Sequence, residues 1–165
     1  MGSKSLFALD NLWDGLGALA VVLPGMKYYF GKVTMYPSYP VDARNVILYF
    51  LREQFPDKDK LVEPIEPLVP GGDETAFKSL FCYDNYKDNY YALKQEVQKS
   101  GVTIPPMVSA YMGLSATMRI FGTAINYGFG NVEETGLLIA VDELLEEKRK
   151  RYIESFINSN PDAVK

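Results

Sequence analysis

Lys27-Tyr28-Tyr29-Phe30-Gly31-Lys32-Val33-Thr34-Met35 is the stretch that decides the fold. It is rich in aromatic and β-branched residues, which suit a pleated, half-buried strand. Turn signals bracket it: Pro24-Gly25 before, and Tyr36-Pro37-Ser38-Tyr39-Pro40 after. Upstream, Leu9, Leu12, Trp13, Leu16, Leu19 and Ala20 recur at helical spacing, which predicts a helix from Ser5 to about Val22 that stops at Pro24-Gly25. Downstream, Val46, Ile47, Phe50 and Leu51 share one face of a second helix, from about Val41 to Phe55, closed by Pro56-Asp57.

Farther along, residues 56–75 read as a loop or linker, because Pro64, Pro67, Pro70, Gly71 and Gly72 punctuate them. Residues 76–100 carry a helical pattern in two pieces, with Gly101 as the stop. Pro105-Pro106 opens a short helix to about Leu114. Two more strands are expected at Met118–Ile125 and Gly136–Val141, joined through Gly128 and Gly130, with Glu133 and Glu134 in the turn. Asp142 reads as the cap of a last helix running to about Ile157, and residues 158–165 as a polar tail. The expected architecture is α/β (α+β): one domain over residues 1–157, with a small mixed sheet of about three strands flanked by five or six helices.

Composition narrows the chemistry. At 165 residues, 47% hydrophobic and 23% charged, the chain can build one packed core. A net charge of −4 points to no nucleic-acid partner. There is no histidine, which removes imidazole-based zinc sites, Ser-His-Asp triads and Cys-His pairs. Cys82 is the single cysteine, so no intramolecular disulfide can form; it reads as a small buried residue in a reducing, cytoplasmic setting. No signal peptide or membrane span is visible, and the apolar stretch Leu16–Leu23 is too short to cross a bilayer.

Several blocks, taken in order, carry a resemblance. They are Leu12-Trp13-Asp14-Gly15-Leu16, Tyr29-Phe30-Gly31-Lys32-Val33-Thr34, Asp84–Leu93, Val102–Tyr111, Arg119-Ile120-Phe121, Phe129, Glu134–Leu137, Val141-Asp142 and Lys148-Arg149-Lys150-Arg151-Tyr152. This ordered set resembles the hemolysin-like, GNAT-related N-acyltransferases that make acyl-amino-acid lipids such as ornithine and glycine lipids. The resemblance implies a C-terminal half of such a fold. In it, the helix from Ser5 would follow a phosphate loop, and Lys27–Met35 would be the second of two splayed strands that hold an acyl thioester. The donor would be the phosphopantetheine thioester of acyl-carrier protein, or acyl-CoA, with no tightly bound cofactor. The acceptor would be an amino-acid amine. The first splayed strand and a strand with a Glu and a Gly-Arg pair have no counterpart here, so the half-site is expected to be inactive alone.

The resemblance implies the donor-facing residues and an acid, and the residues' own positions suggest the remaining candidates. Gly2, Ser3, Val33 and Thr34 would face the donor, the first two as the end of the phosphate loop at a helix N-terminus. Tyr49 would be the acid for the departing thiolate, with Tyr36 and Tyr39 in the same region. Glu133, Glu134 and Asp142 flank the last strand, and one of them would take the amine's proton or hold the amino-acid substrate. Arg119 and Arg44 would clamp the acceptor's carboxylate. Each also has an ordinary reading: Tyr49 as packing, Asp142 as a cap, the arginines as salt-bridge partners.

The aromatic stripe Tyr83, Tyr86, Tyr90 and Leu93 reads as core or as the wall of an acyl groove. Glu146–Lys150 and Glu147–Arg151 are spaced for helical ion pairs on a solvated face, and that basic end could also meet a carrier protein or an anionic membrane surface. The alternative to catalysis is an interaction module that docks a carrier protein, a membrane surface or a second copy of itself through an exposed strand edge. A third option is an enzyme that takes a short acetyl-CoA donor.

Overall fold

The computed structural model describes residues 3–23 and 25–163, with side chains from residue 10 onward. Helix α1 (Ser3–Val22) leads into strand β1 (Tyr28–Met35) and helix α2 (Val41–Gln54). α1 starts two residues earlier than its apolar spacing predicts, so Ser3, Lys4 and Ser5 form its first turn rather than a loop ahead of it. Gly2 lies outside the described residues.

The two-piece helical pattern resolves into α3 (Glu74–Leu80) and α4 (Tyr86–Lys99), each started by a side-chain cap. Asp73 accepts from the amides of Thr75 and Ala76, and Asn85 accepts from that of Asp88. Between them, buried Asn89 accepts from the amide of Tyr83 and donates to its carbonyl, which pins the turn. α5 (Pro106–Met112) has proline in its first turn, where a missing N–H costs nothing.

Strands β2 (Arg119–Asn126) and β3 (Val132–Ala140) complete a three-stranded sheet of order β1-β3-β2. Every pairing among these strands is antiparallel, with Tyr29 opposite Ile139 and Met35 opposite Glu133. β3 begins at Val132, so Glu133 and Glu134 stand on the strand and not in a turn. The period-2 alternation sends Val33, Met35, Thr135, Leu137 and Ile139 inward, against Ile47, Phe50 and Leu51 of α2 and Leu93 and Val97 of α4. Tyr28 and Phe30, on the opposite face, are 56% and 68% exposed.

The two edges of the sheet differ. The proline-rich segment read as a loop or linker is a strap along the outer edge of β2: the Ile120 amide donates to Phe55 at 2.8 Å, and the Leu68 amide to Thr123 at 2.8 Å. Gly122, at φ +94°, forms the bulge under Pro64; a Cβ there would meet the proline ring at 3.1 Å. Among the described residues, β1 has a neighbouring strand on one side only.

After β3, Val141–Glu143 forms a single 3₁₀ turn, and α6 (Glu146–Arg149) begins only at Glu146. Asp142 therefore does not cap the last helix. Thr117 donates to Glu143, and the Leu145 amide donates to the Leu114 carbonyl at 2.8 Å; these bonds hold the chain away from helical geometry until Glu146.

α6 continues through a π-turn (Lys150–Glu154) into α7 (Ser155–Ser159), followed by a 3₁₀ turn at Pro161–Ala163. The segment read as a tail is thus partly helical. The π-turn lies on α1: Tyr152 is buried, and its hydroxyl donates to Asp10 at 3.0 Å. Lys150 pairs with Glu146 as the spacing predicts. Arg151, in contrast, turns away from Glu147 and donates to Asp10, which joins the C-terminal helix to α1. Among the described residues, no helix is long and apolar enough to cross a membrane.

Candidate functional site

A cleft of about 890 Å³ opens at the C-terminal end of β1. One wall is Thr34, Met35, Tyr36 and Tyr39, from the end of β1 and the Tyr-Pro turn after it. The other is Val102 and Met107, from the loop into α5, stiffened by Pro105-Pro106. No charged side chain is among its described lining residues. Apolar walls with a few hydroxyls fit an apolar, extended ligand and offer nothing to neutralise a carboxylate or an ammonium.

Tyr39 braces the two walls. Its hydroxyl donates to the Thr103 carbonyl at 2.9 Å, and burial pushes the phenol up to about 12. It is a protonated, committed donor at neutral pH. Tyr36, 64% exposed, stands at the mouth.

The sequence-predicted site residues scatter around this cleft. Thr34 lines it, while Val33 turns its side chain into the core. Ser3 starts α1. Tyr49 is buried on the far side of α2, with its ring 5.2 Å from that of Phe77 and 6.0 Å from that of Phe81, under the Arg52 guanidinium. Burial, reinforced by the charge of Glu53, raises its phenol. It does not line this cleft, and its surroundings are those of a packing residue.

Glu134 points to the outer face of the sheet, where both its oxygens accept from Lys32 at 2.7 Å. That bond and a further one from Asn126 hold the carboxyl below its usual range. Asp142 is exposed beyond the other end of β3, eight residues away, or roughly 27 Å along an extended strand. Tyr49, Glu134 and Asp142 thus do not converge.

The two arginines are engaged within the chain. Arg119 donates to Asp59 at 2.5 Å in an exposed pair. Arg44 donates to Glu133, with side chains only 14% and 11% exposed, and also holds the Asn45 side-chain oxygen at 2.7 and 3.0 Å. Glu133 Oε2 has no partner in this buried cluster. The partner that Arg44 of α2 grips is a carboxylate of β3.

One further reading is corrected and another is narrowed to one of its alternatives. Cys82 is exposed, not buried. Tyr86 and Tyr90 stack on each other at 5.8 Å and pack on Phe50, so that part of the aromatic stripe is an extension of the core. What sequence reasoning missed was the cleft itself. Its available signal was the pair of proline turns, Tyr36–Pro40 and Pro105-Pro106, which fall at the ends of elements that must meet to form its walls.

Comparison with known proteins bears on what this arrangement serves. No family model and no solved structure matches the chain. It is 62% identical over 164 residues to a glycine N(alpha)-acyltransferase of Phocaeicola vulgatus, covering 99% of this chain and 50% of that protein. It is also 62% identical over 164 residues to a glycine N(alpha)-acyltransferase of Bacteroides thetaiotaomicron, covering 99% of this chain and 49% of that protein. The chain therefore spans about half the length of the curated relatives it matches, and over that half the similarity supports kinship with acyltransferases.

Proposed function

We propose that the chain supplies one half of an N-acyltransferase active site, which moves a fatty acyl group from a phosphopantetheine thioester to the amine of glycine. The observation that carries this reading is the 62% identity, along nearly the whole chain, to two proteins named as glycine N(alpha)-acyltransferases. The uncharged cleft beside Thr34 and Met35 supports it, because a long acyl chain is the part of such a substrate that needs apolar walls and no counter-charge.

In this reading the fold is of the hemolysin-like GNAT type, and β1 is one bank of the thioester site. The acyl chain lies in the cleft, and the donor is acyl-carrier protein or acyl-CoA in the cytoplasm. The donor's phosphate meets the start of α1 near Ser3. The neutral amine attacks the thioester carbonyl, the C–N bond forms and the C–S bond breaks. The ammonium proton goes to a base, and the thiolate leaves as a thiol. Much of the rate comes from holding the two reactants together.

The test is production of N-acylglycine, followed by mass spectrometry, from a long-chain acyl-carrier-protein donor and glycine. The chain alone is expected to give none. The chain combined with the half of the Phocaeicola vulgatus relative that it does not match is expected to turn over. A stable combination of the two with no product would remove the acyl-transfer reading.

A further inference from the structure

Tyr111 sits on α5 one turn after Met107, so the two side chains share a face of that helix. Met107 lines the cleft, and Tyr111 carries the same wall on toward the middle of β1. There its hydroxyl stands over Gly31, on the side of the strand that also carries Val33 and Met35. A Cβ at position 31 would lie 3.9 Å from that oxygen and meet nothing nearer. Gly31 is three residues before Thr34, so the hydroxyl is about 10 Å along the strand from the cleft wall. With no side chain at that point, the strand is bare and open to close approach by a ligand.

The hydroxyl is an unspent donor. Those of Tyr29, Tyr39 and Tyr152 donate to the Leu16 carbonyl, the Thr103 carbonyl and Asp10. Tyr111 has no such partner among the described residues, and burial alone pushes its phenol up. Its ring is fixed as well. Trp13 of α1 packs edge-on against it, with centroids 5.2 Å apart, and Val108 and Met112 anchor α5 in the core. A rigid, protonated donor with nothing of its own to bond is preorganised for a group that arrives with a substrate.

We infer that Tyr111 is a catalytic residue, which donates a hydrogen bond to the thioester carbonyl oxygen of the acyl donor held beside Gly31. The inference rests on the acyl-transfer reading and adds to it the group that meets the developing charge. As the amine attacks, the carbonyl π electrons move onto oxygen. The phenol keeps its proton and stabilises that oxyanion until the C–S bond breaks and the carbonyl re-forms. Handing a proton to the departing thiolate suits Tyr111 less. An ordinary thiol titrates at about 8.5, so a phenol held above its usual 10.0 would give up its proton to such a thiolate only uphill.

The test uses the full chain combined with the unmatched half of the Phocaeicola vulgatus relative, a long-chain acyl-carrier-protein donor and glycine. Tyr111→Phe removes the hydroxyl and keeps the ring against Trp13, so its thermal melt should match the wild type. Its kcat is expected to fall about 100-fold, with the KM for glycine unchanged. Gly31→Ala fits the fold but puts a methyl group under the hydroxyl, and should lower kcat/KM at least about ten-fold.

A second readout needs no turnover. With glycine omitted, the infrared band of an isotope-labelled thioester carbonyl should lie at lower frequency in the wild type than in Tyr111→Phe, because a hydrogen bond to that oxygen weakens the C=O bond. A wild-type combination that makes product while Tyr111→Phe keeps its kcat overturns the inference and leaves the acyl-transfer reading standing. An infrared band that does not move, or Gly31→Ala at full rate, has the same effect. A wild-type combination that makes no product removes both.

Discussion

Gly17 of α1 lies directly against the backbone carbonyl of Tyr152 in the π-turn: a Cβ at position 17 would sit 2.1 Å from that oxygen and 2.6 Å from its carbon. The glycine is what lets the two helices approach, and the π-turn presents the carbonyl at the crossing. Gly17→Ala is expected to lower stability by ~3 kcal/mol, a fall of roughly 6–12 °C in Tm, because neither backbone can give way cheaply. Gly15→Ala, two residues away with nothing within 4 Å, should instead be neutral or stabilise by up to ~1 kcal/mol through helix propensity. Calorimetry of both variants checks the contrast; equal effects would mean that the crossing is not close-packed.

The Arg44–Glu133 pair predicts a coupled response. Arg44→Met leaves a carboxylate buried with neither oxygen paired, and should cost about 3–5 kcal/mol. Adding Glu133→Leu should recover most of that loss, since replacing both partners of a buried pair with apolar groups is often close to neutral. A denaturant-based double-mutant cycle measures it. Additive losses would show that the two side chains act independently.

The bond between Tyr39 and Thr103 predicts an alkaline signature. The phenol titrates at about 12 in the fold against an ordinary value of 10.0. A raised folded-state pKa means that the stabilisation is complete below the unfolded value and is lost as pH climbs through the folded one. Wild-type stability should therefore fall more steeply between pH 10 and 12 than that of Tyr39→Phe, which at neutral pH lacks a hydrogen bond worth about 1 kcal/mol. Thermal melts across that range, with ultraviolet titration of tyrosinate, provide the comparison. Parallel slopes would contradict it.

The cleft predicts control of chain length in the reconstituted enzyme. Val102→Trp fills part of the wall opposite Met35 and Tyr36. It should reduce kcat/KM for long donors by about four-fold per excluded methylene and leave short donors nearly untouched. A uniform loss across a donor series would place the acyl chain elsewhere.

Much of the fold was legible because its signals are local. Pro40, Pro56 and Pro106 bound helices through a missing N–H and a locked φ, whatever packs nearby. The spacing of Val46, Ile47, Phe50 and Leu51 revealed the buried face of α2, and the aromatic and β-branched content of Tyr28–Met35 revealed a strand. Asp142 misled for the reverse reason. An acidic residue before a helical run has the local mark of a cap, but here the contact between Thr117 and Glu143 draws the chain into a 3₁₀ turn first. Cys82 misled because burial is a property of the surroundings, and the turn after α3 leaves it in solvent.

Helices, strands, their order and the exclusion of histidine chemistry were set by the chain's own spelling, because backbone propensity and apolar periodicity act over a few residues. Tertiary structure alone decided which charges met. Arg44 and Glu133 are 89 residues apart, as Lys32 and Glu134 are 102; the packing of α2 on the sheet brings the first pair together, and strand register the second. It also decided that the proline-rich segment seals one edge of the sheet while β1 stays open. Both are pairings between distant segments, and distance along the chain carries no information about proximity in the folded state until the sheet has formed.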